Sequence, residues 1–386
     1  MTSAALLSAL LLAPSAQPQV RPAVQAPPIV VTGKRIEDGE KRLSACIARK
    51  CPPDEDIAAT LAYAETLFVA GDYARARMAL RHSLGRNRRH ADRYPEPVSD
   101  LFRANALAAN HLGFEEDYYH STWGILSALK QGIPRQDARH FGARMEIAAM
   151  TARLRGFAAA ENIYAGLARD ADQSGRPDIA AIARLRAAGL AWKRSPSASS
   201  RRALQDIASS SAPGTEVAAR MAKLYLARVA REAGRTAEAE RLIREVGASG
   251  FARPVLVYSP PYQLTVQELE DKPDEAPNAA RGNPARRYGG NFDKTWIDVG
   301  FRVQSDGRVV GLEVLHKSGG SSWAEPLLKS IAGRLYAPAR DSLYLRERYT
   351  YTAGYQDQTG SHLRLRSPRA RVEYLDLTLD DAAETR

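Results

Sequence analysis

The only two cysteines, Cys46 and Cys51, stand in Cys-Ile-Ala-Arg-Lys-Cys, and Pro52-Pro53 follow. Proline pushes the residue before it out of helical geometry. A helix there stops at about Cys51, and its end can bend to close a small disulfide loop. Two sulfurs are too few for a structural zinc site, which takes four ligands. The pair is expected to form a disulfide in an oxidising compartment, the alternative being two free thiols near a helix end. The seven histidines form no His-Glu-x-x-His, and no Cys-x-x-Cys occurs. Asp117-x-x-His120 and Asp137-x-x-His140 are i, i+3 pairs on predicted helices. They could share a face toward a metal, but exposed polar helix positions account for them. Ser127-x-x-Lys130 lacks a Lys-Thr-Gly companion and sits inside a predicted helix, so its spacing is read as chance. No P-loop, dinucleotide fingerprint or Gly-x-Ser-x-Gly is present. The expectation is a non-enzymatic chain with no catalytic, cofactor or metal site.

The charge points toward partners, not chemistry. The 386 residues carry a net charge of +11, with Arg dominating. Such a balance attracts acidic proteins, polyanions or anionic lipid. Here the charge is spread along the chain, which also fits solvated helix faces. Peripheral membrane association is compatible with it, and no nucleic-acid motif accompanies it. Arg75, Arg77, Arg81, Arg86, Arg88, Arg89 and Arg93 crowd one predicted helix and its exit. They could form an acidic-partner patch, or they could suit a helix C-terminus, where cations complement the dipole.

Several elements must position these residues. Leu6 to Ala13 is apolar and too short for a bilayer span of ~20 residues. It has the length of a signal-peptide core, with Ala16 at the cleavage point, although no Lys or Arg precedes it and Pro14 sits where a small residue is preferred. Residues 1–16 are read as an export signal and the chain as periplasmic, an inner-membrane anchor being the alternative. Residues 17–53 are a Pro- and Gln-rich linker, a β-prone segment at Ile29-Val30-Val31 and a weak helix over Asp38–Lys50.

Residues 54–250 read as helix-turn-helix units at a spacing of ~40 residues, within the range of helical solenoids. Turns recur at Gly71, Gly113, Gly156 and Gly234, with a looser one near Ser195-Pro196. Gly in those turns permits the left-handed helix C-cap. Gly71-Asp72-Tyr73-x-x-Ala76 and Gly234-Arg235-x-x-x-Ala239 resemble the tetratricopeptide repeat, although the period exceeds that family's 34 residues. The first-helix Trp and terminal Pro of that pattern are mostly missing. The fold class expected is mostly α: a helix-pair solenoid followed by a small α+β domain.

Residues 251–290 read as linker around a candidate strand at Pro254–Tyr258, and 291–358 as the second domain. Trp296–Val303 and Arg308–Leu315 are strands joined by Ser305-Asp306-Gly307. Ser322 and Glu325 suggest a capping box for a helix through Arg334. Tyr344–Tyr355 is a third strand, and 359–386 is a tail with no assigned role. Val299-x-Phe301-x-Val303, Asp306-Gly307-x-Val309, Val314-x-x-x-Ser318-Gly319-Gly320 and Leu335-Tyr336-x-Pro338-Ala339 resemble the TonB C-terminal domain over roughly 60 residues. That resemblance implies capture of a short segment, such as one from an outer-membrane transporter, as an added strand.

The strand Tyr344–Tyr355, with Tyr344, Arg346, Arg348, Tyr349 and Tyr351, is then the expected docking edge, and its charges also fit a protected edge. Ile29-Val30-Val31-Thr32-Gly33 resembles the TonB box of receptors and is a second partner-binding candidate, for the sheet of its own or a neighbouring chain. The favoured reading is a periplasmic protein-binding adaptor or scaffold. A divergent energy transducer in transmembrane transport is the alternative. It would need an inner-membrane helix and a long Pro-rich spacer, and neither is present once a signal is cleaved.

Overall fold

A computed structural model describes residues 36–247, 254–262, 295–357 and 364–378. They form a mostly helical protein with a small antiparallel sheet region toward the C-terminus. The helices are α1 (Ile36–Ala48), α2 (Pro53–Val69), α3 (Tyr73–Asn87), α4 (Pro95–Leu112), α5 (Glu115–Gly132), α6 (Ala138–Leu154), α7 (Phe157–Gln173), α8 (Pro177–Arg194), α9 (Ala198–Ala208), α10 (Glu216–Glu232) and α11 (Thr236–Val246). Each packs on the next in sequence.

Local chemistry sets their ends. Pro53, Pro95 and Pro177 open α2, α4 and α8, where a missing N–H costs nothing. Asp72 caps α3 by accepting from the Arg75 N–H, and Asp137 caps α6 by accepting from Arg139 N–H. Gly113 closes α4 at φ 82°, and its N–H donates back to the last turn. Helix faces are then buried in series. Ile57, Leu67, Leu80, Val98 and Leu101 share one cluster, Ile125, Leu129, Ile147 and Met150 the next, and Leu167 anchors a third. Buried alanines such as Ala76, Ala109 and Ala160 let backbones approach closely. Truncating fully buried Leu101 to Ala would cost ~2–5 kcal/mol.

Cys46 and Cys51 form a disulfide, with Cα atoms 5.2 Å apart. The helix ends at Ala48, and Lys50, at φ 55°, turns the chain so that Cys51 N–H donates to Cys46 C=O.

The strands are β1 (Leu256–Tyr258), β2 (Trp296–Val303), β3 (Val309–Ser318), β4 (Leu335–Tyr336), β5 (Leu343–Asp357) and β6 (Arg364–Asp376), with helix α12 (Glu325–Ala332) between β3 and β4. β1 pairs with β4, and the larger sheet runs β3-β2-β5-β6, antiparallel throughout. Three expectations change here. The segment 359–386, read as a tail, supplies β6, so the sheet continues beyond residue 358. The helix expected through Arg334 ends at Ala332, and Leu335-Tyr336 behind it is a strand. α12 starts behind a 3-10 turn at Ser322–Ala324, and its N-cap falls at Ala324 and not at the expected Ser322.

Alternation divides the larger sheet into two buried faces. Ile297, Val299, Phe301, Leu345, Tyr349 and Tyr351 lie under α12, against Trp323, Leu327 and Ile331. Asp298, Arg348, Thr350 and Thr352 occupy the opposite face and are equally buried. That second face is polar, and it packs on the helices. No helix among the described residues is long and apolar enough to cross a membrane.

Candidate functional site

The polar sheet face meets the helical region at successive inter-helix turns. Arg348 forks onto Asp298 at 2.5 and 2.8 Å, and its Nη1 donates to the Val69 carbonyl at 2.6 Å, at the C-terminus of α2. Its guanidinium also lies 3.8 Å from the Trp296 ring centroid. Arg371 of β6 donates to Asn110 C=O at the end of α4 (2.5 Å) and pairs with Glu373 at 2.9 Å. Glu373 in turn pairs with Arg153 of α6. Two arginines thus donate to carbonyls in the last turns of α2 and α4, where the helix dipole favours a cation. Beneath them, the rings of Phe68, Tyr73 and His111 form a triangle with centroids 4.5–4.9 Å apart. The Tyr73 hydroxyl shares a hydrogen bond with the Thr350 hydroxyl at 2.9 Å. Burial, then Arg371, Arg348 and Arg153, hold the His111 pKa down to about 3. At the far end Arg228 of α10 donates to the Val257 and Leu256 carbonyls of β1, at 2.7 and 3.0 Å.

The other face carries a cavity of about 400 Å³ between β1, β4, β5 and β6. Pro254, Leu256, Leu345 and Val372 give it apolar walls, and Tyr262, Tyr336, Tyr349 and Tyr374 give it phenol rings. Its acidic and basic side chains are Arg334, Glu347 and Asp376. Arg334 Nη1 donates to Glu347 Oε2 and Nη2 to the Tyr349 hydroxyl, both at 2.8 Å, and that hydroxyl donates to Glu347. Burial opposes the charge on Arg334, yet Tyr349 and Glu347 hold its pKa above the ordinary value. Burial and then Glu347 push Tyr336 up to about 12, and the same two causes raise Tyr349. Tyr374 is raised by burial, then by Glu347 and Asp376. These phenols remain protonated near neutrality, so the cavity offers aromatic faces and hydrogen-bonding groups.

The predicted docking edge is not an edge. β5 lies between β2 and β6, so Tyr344, Arg346, Arg348, Tyr349 and Tyr351 belong to an interior strand. Arg348, Tyr349 and Tyr351 are buried, Arg348 in the seam, Tyr349 in the cavity and Tyr351 against Trp323. Tyr344 donates to Glu313, and the Arg346 backbone pairs with Thr378 and Leu377. The charges that suggested edge protection serve two buried ion pairs on opposite faces, Arg348–Asp298 and Glu347–Arg334. Ile29, Val30 and Val31 lie outside the described residues. Among the described residues, the sheet edge nearest α12 is β3, where two register shifts and Gly311 at φ 63° interrupt the ladder.

The remaining candidates are accounted for individually. Asp117 pairs with Arg77, Asp137 caps α6, and His140 Nε2 contacts Ile133 C=O. Glu55 lies beside Cys46 and Cys51, whose sulfurs the disulfide consumes. The arginine-rich run is divided: Arg75, Arg77 and Arg86 pair with Asp72, Asp117 and Asp56, while Arg81, Arg88, Arg89 and Arg93 are exposed. Asp298, Arg334, Tyr374 and Asp376 were missed. The alternation Val372-Glu373-Tyr374-Leu375-Asp376 was the available signal for the last two.

No protein-family model matches the chain, and no curated protein matches it. Among solved structures, BtubC (BKLC) from P. vanneervenii is similar, with a TM-score of 0.42 and 13% identity, over 60% of this chain and 96% of that one.

Proposed function

We propose that this chain is a non-enzymatic, exported protein-binding adaptor: a tetratricopeptide-like solenoid of helix pairs carrying a TonB C-terminal-like strand-docking domain. Serial packing of α2 to α11, with positive-φ glycines at Gly71, Gly113, Gly156 and Gly234, supports the repeat reading. The order β2-β3-α12-β5 supports the second resemblance.

The observation that carries the reading is β6. It lies along β5 from Glu347↔Asp376 to Asp357↔Arg364, on the edge where the resemblance places a partner's strand. The chain's own segment performs that strand addition. A partner strand, such as a periplasmic segment of an outer-membrane transporter, would compete with β6 for β5.

The test uses the folded full-length chain with a protease site inserted between Asp357 and Arg364. After nicking, a labelled peptide spanning Arg364–Asp376 should exchange into the protein, and a scrambled peptide should not. Failure of a nicked, still folded protein to exchange its β6 would remove the basis for strand capture. Recovery of the protein from the periplasmic fraction, with a mature N-terminus near Gln17, is expected on the same reading.

A further inference from the structure

Each acidic or basic side chain described in the tyrosine cavity already has a partner within the protein. Arg334 donates to Glu347 and to the Tyr349 hydroxyl, both at 2.8 Å, and to the Tyr336 hydroxyl at 3.4 Å. The Tyr349 hydroxyl donates to the same Glu347. Asp376 accepts from the Thr378 N–H at 2.8 Å. A ligand that brought a charge into the cavity would meet no unpartnered acidic or basic side chain there, and burying a charge without a partner is costly. The walls offer neutral chemistry instead: ring faces, apolar side chains and phenol hydroxyls.

Two of the four tyrosines are not used by the fold. The hydroxyls of Tyr336 and Tyr349 are engaged with Arg334, whereas those of Tyr262 and Tyr374 have no hydrogen-bond partner among the described residues. Their rings are 37% and 52% exposed, yet both line the cavity. Burial, the first cause in each case, raises both phenols, so each keeps its proton and can donate to an acceptor. Tyr374 lies 5.8 Å from Tyr349, centroid to centroid, at an interplanar angle of 53°, a tilted pairing of the kind aromatic rings prefer. The aromatic surface therefore runs from the exposed rings inward, toward the apolar walls of Leu256, Leu345 and Val372. The volume, about 400 Å³, lies within the range of small-ligand sites.

We propose that this cavity binds an uncharged aromatic group carrying a hydrogen-bond acceptor, its ring packed on the exposed rings of Tyr262 and Tyr374 and its acceptor bonded to one of their hydroxyls. A free small molecule and an aromatic side chain of a peptide present the same chemistry, and the test separates them.

The test is NMR titration of the full-length protein with benzamide and with N-acetyl-phenylalanine amide, both neutral rings with a carbonyl acceptor. Cyclohexanecarboxamide keeps the acceptor of benzamide and loses the aromatic ring, while benzoate and benzamidine keep the ring and add a negative or a positive charge. Saturable binding with Kd on the order of 1 mM is expected for at least one neutral ring. Against benzamide, the saturated amide should bind roughly three- to tenfold more weakly, and each charged ring at least about tenfold more weakly. Tighter binding of the phenylalanine derivative would identify a peptide source, and tighter binding of benzamide a small-molecule source. Tyr374→Leu and Tyr262→Leu each keep apolar bulk at a partly exposed position. Each should weaken the neutral ring by roughly three- to tenfold and leave the saturated amide unchanged. No saturation by either neutral ring, equal affinity for the saturated amide, or tighter binding of either charged ring would overturn the proposal.

Discussion

Arg348 of β5 and Asp298 of β2 form a two-pronged ion pair at 2.5 and 2.8 Å, with both side chains 4% exposed. The pair sits where the sheet meets α2, and Arg348 alone continues across the seam to the Val69 carbonyl. Burying two charges costs several kcal/mol per ion, and only their mutual attraction and further hydrogen bonds offset it. Here the further bond belongs to another part of the fold. The ion pair therefore ties the sheet to the helical region as well as joining two strands.

Arg348→Met should destabilise the protein by ~3–5 kcal/mol, because Asp298 is left buried without its partner. Asp298→Asn added to it should be less costly than the sum of the two changes, with a coupling of ~1–3 kcal/mol. Denaturant titration of the four proteins gives the cycle. Additive effects would mean that the two side chains act independently.

His111 predicts a pH dependence. A histidine ordinarily titrates near 6.5, and burial together with Arg371, Arg348 and Arg153 holds this one down to about 3. The unfolded chain accepts a proton that the folded protein refuses. Stability is therefore full above pH 6.5 and declines as pH falls toward 3, approaching ~1.4 kcal/mol per pH unit. Between pH 6.5 and 5 ordinary carboxylates remain ionised, so the histidine dominates the slope. His111→Phe keeps a ring beside Phe68 and Tyr73 and should flatten the curve in that window. An unchanged slope would place the proton uptake elsewhere.

Glycine turns and alternating strands show how much of this was legible. The positions Gly71, Gly113, Gly156 and Gly234 were readable because each must take a positive φ between two apolar helices. β2, the Ser305–Gly307 turn and β3 were readable from alternation and turn chemistry. β6 was not, because its segment carries Pro368, which reads as a breaker. The burial of Arg348 and Glu347 was also invisible. Their partners Asp298 and Arg334 lie 50 and 13 residues away in the chain, and only the pairing of strands brings them together.

Gly113 and Gly156 look alike in sequence and should differ in substitution. Both have positive φ, but Gly113 (82°, ψ 17°) is left-handed helical, where Ala costs ~1–2 kcal/mol, and Gly156 (98°, ψ 162°) lies in a region that essentially only Gly adopts, where Ala costs ~1–3 kcal/mol. At Gly156 an added Cβ meets nothing within 4 Å, whereas at Gly113 it falls 2.5 Å from the Ala353 carbonyl oxygen of β5. Gly113→Ala should therefore cost a further ~1–3 kcal/mol and loosen the sheet from α4. Hydrogen exchange of β5 amides would report the difference. Equal effects of the two substitutions would show that the seam adapts to the extra methyl group.

The disulfide should act locally. It closes a loop of six residues, Cys46 to Cys51, so chain-entropy reasoning assigns it ~2 kcal/mol. Its ends lie at the α1 terminus and just ahead of α2, which α1 covers through Leu43 and through Gly39 against Tyr63. Little else fastens α1, whose remaining residues are mostly exposed. Cys46→Ser with Cys51→Ser should lower the stability of α1 by about that amount. Its amides should then exchange faster, while those of α4 and β5 keep their protection. If the loss spread uniformly to β5, the helical region would be unfolding as one cooperative unit with α1, and the disulfide would then be a determinant of the whole fold.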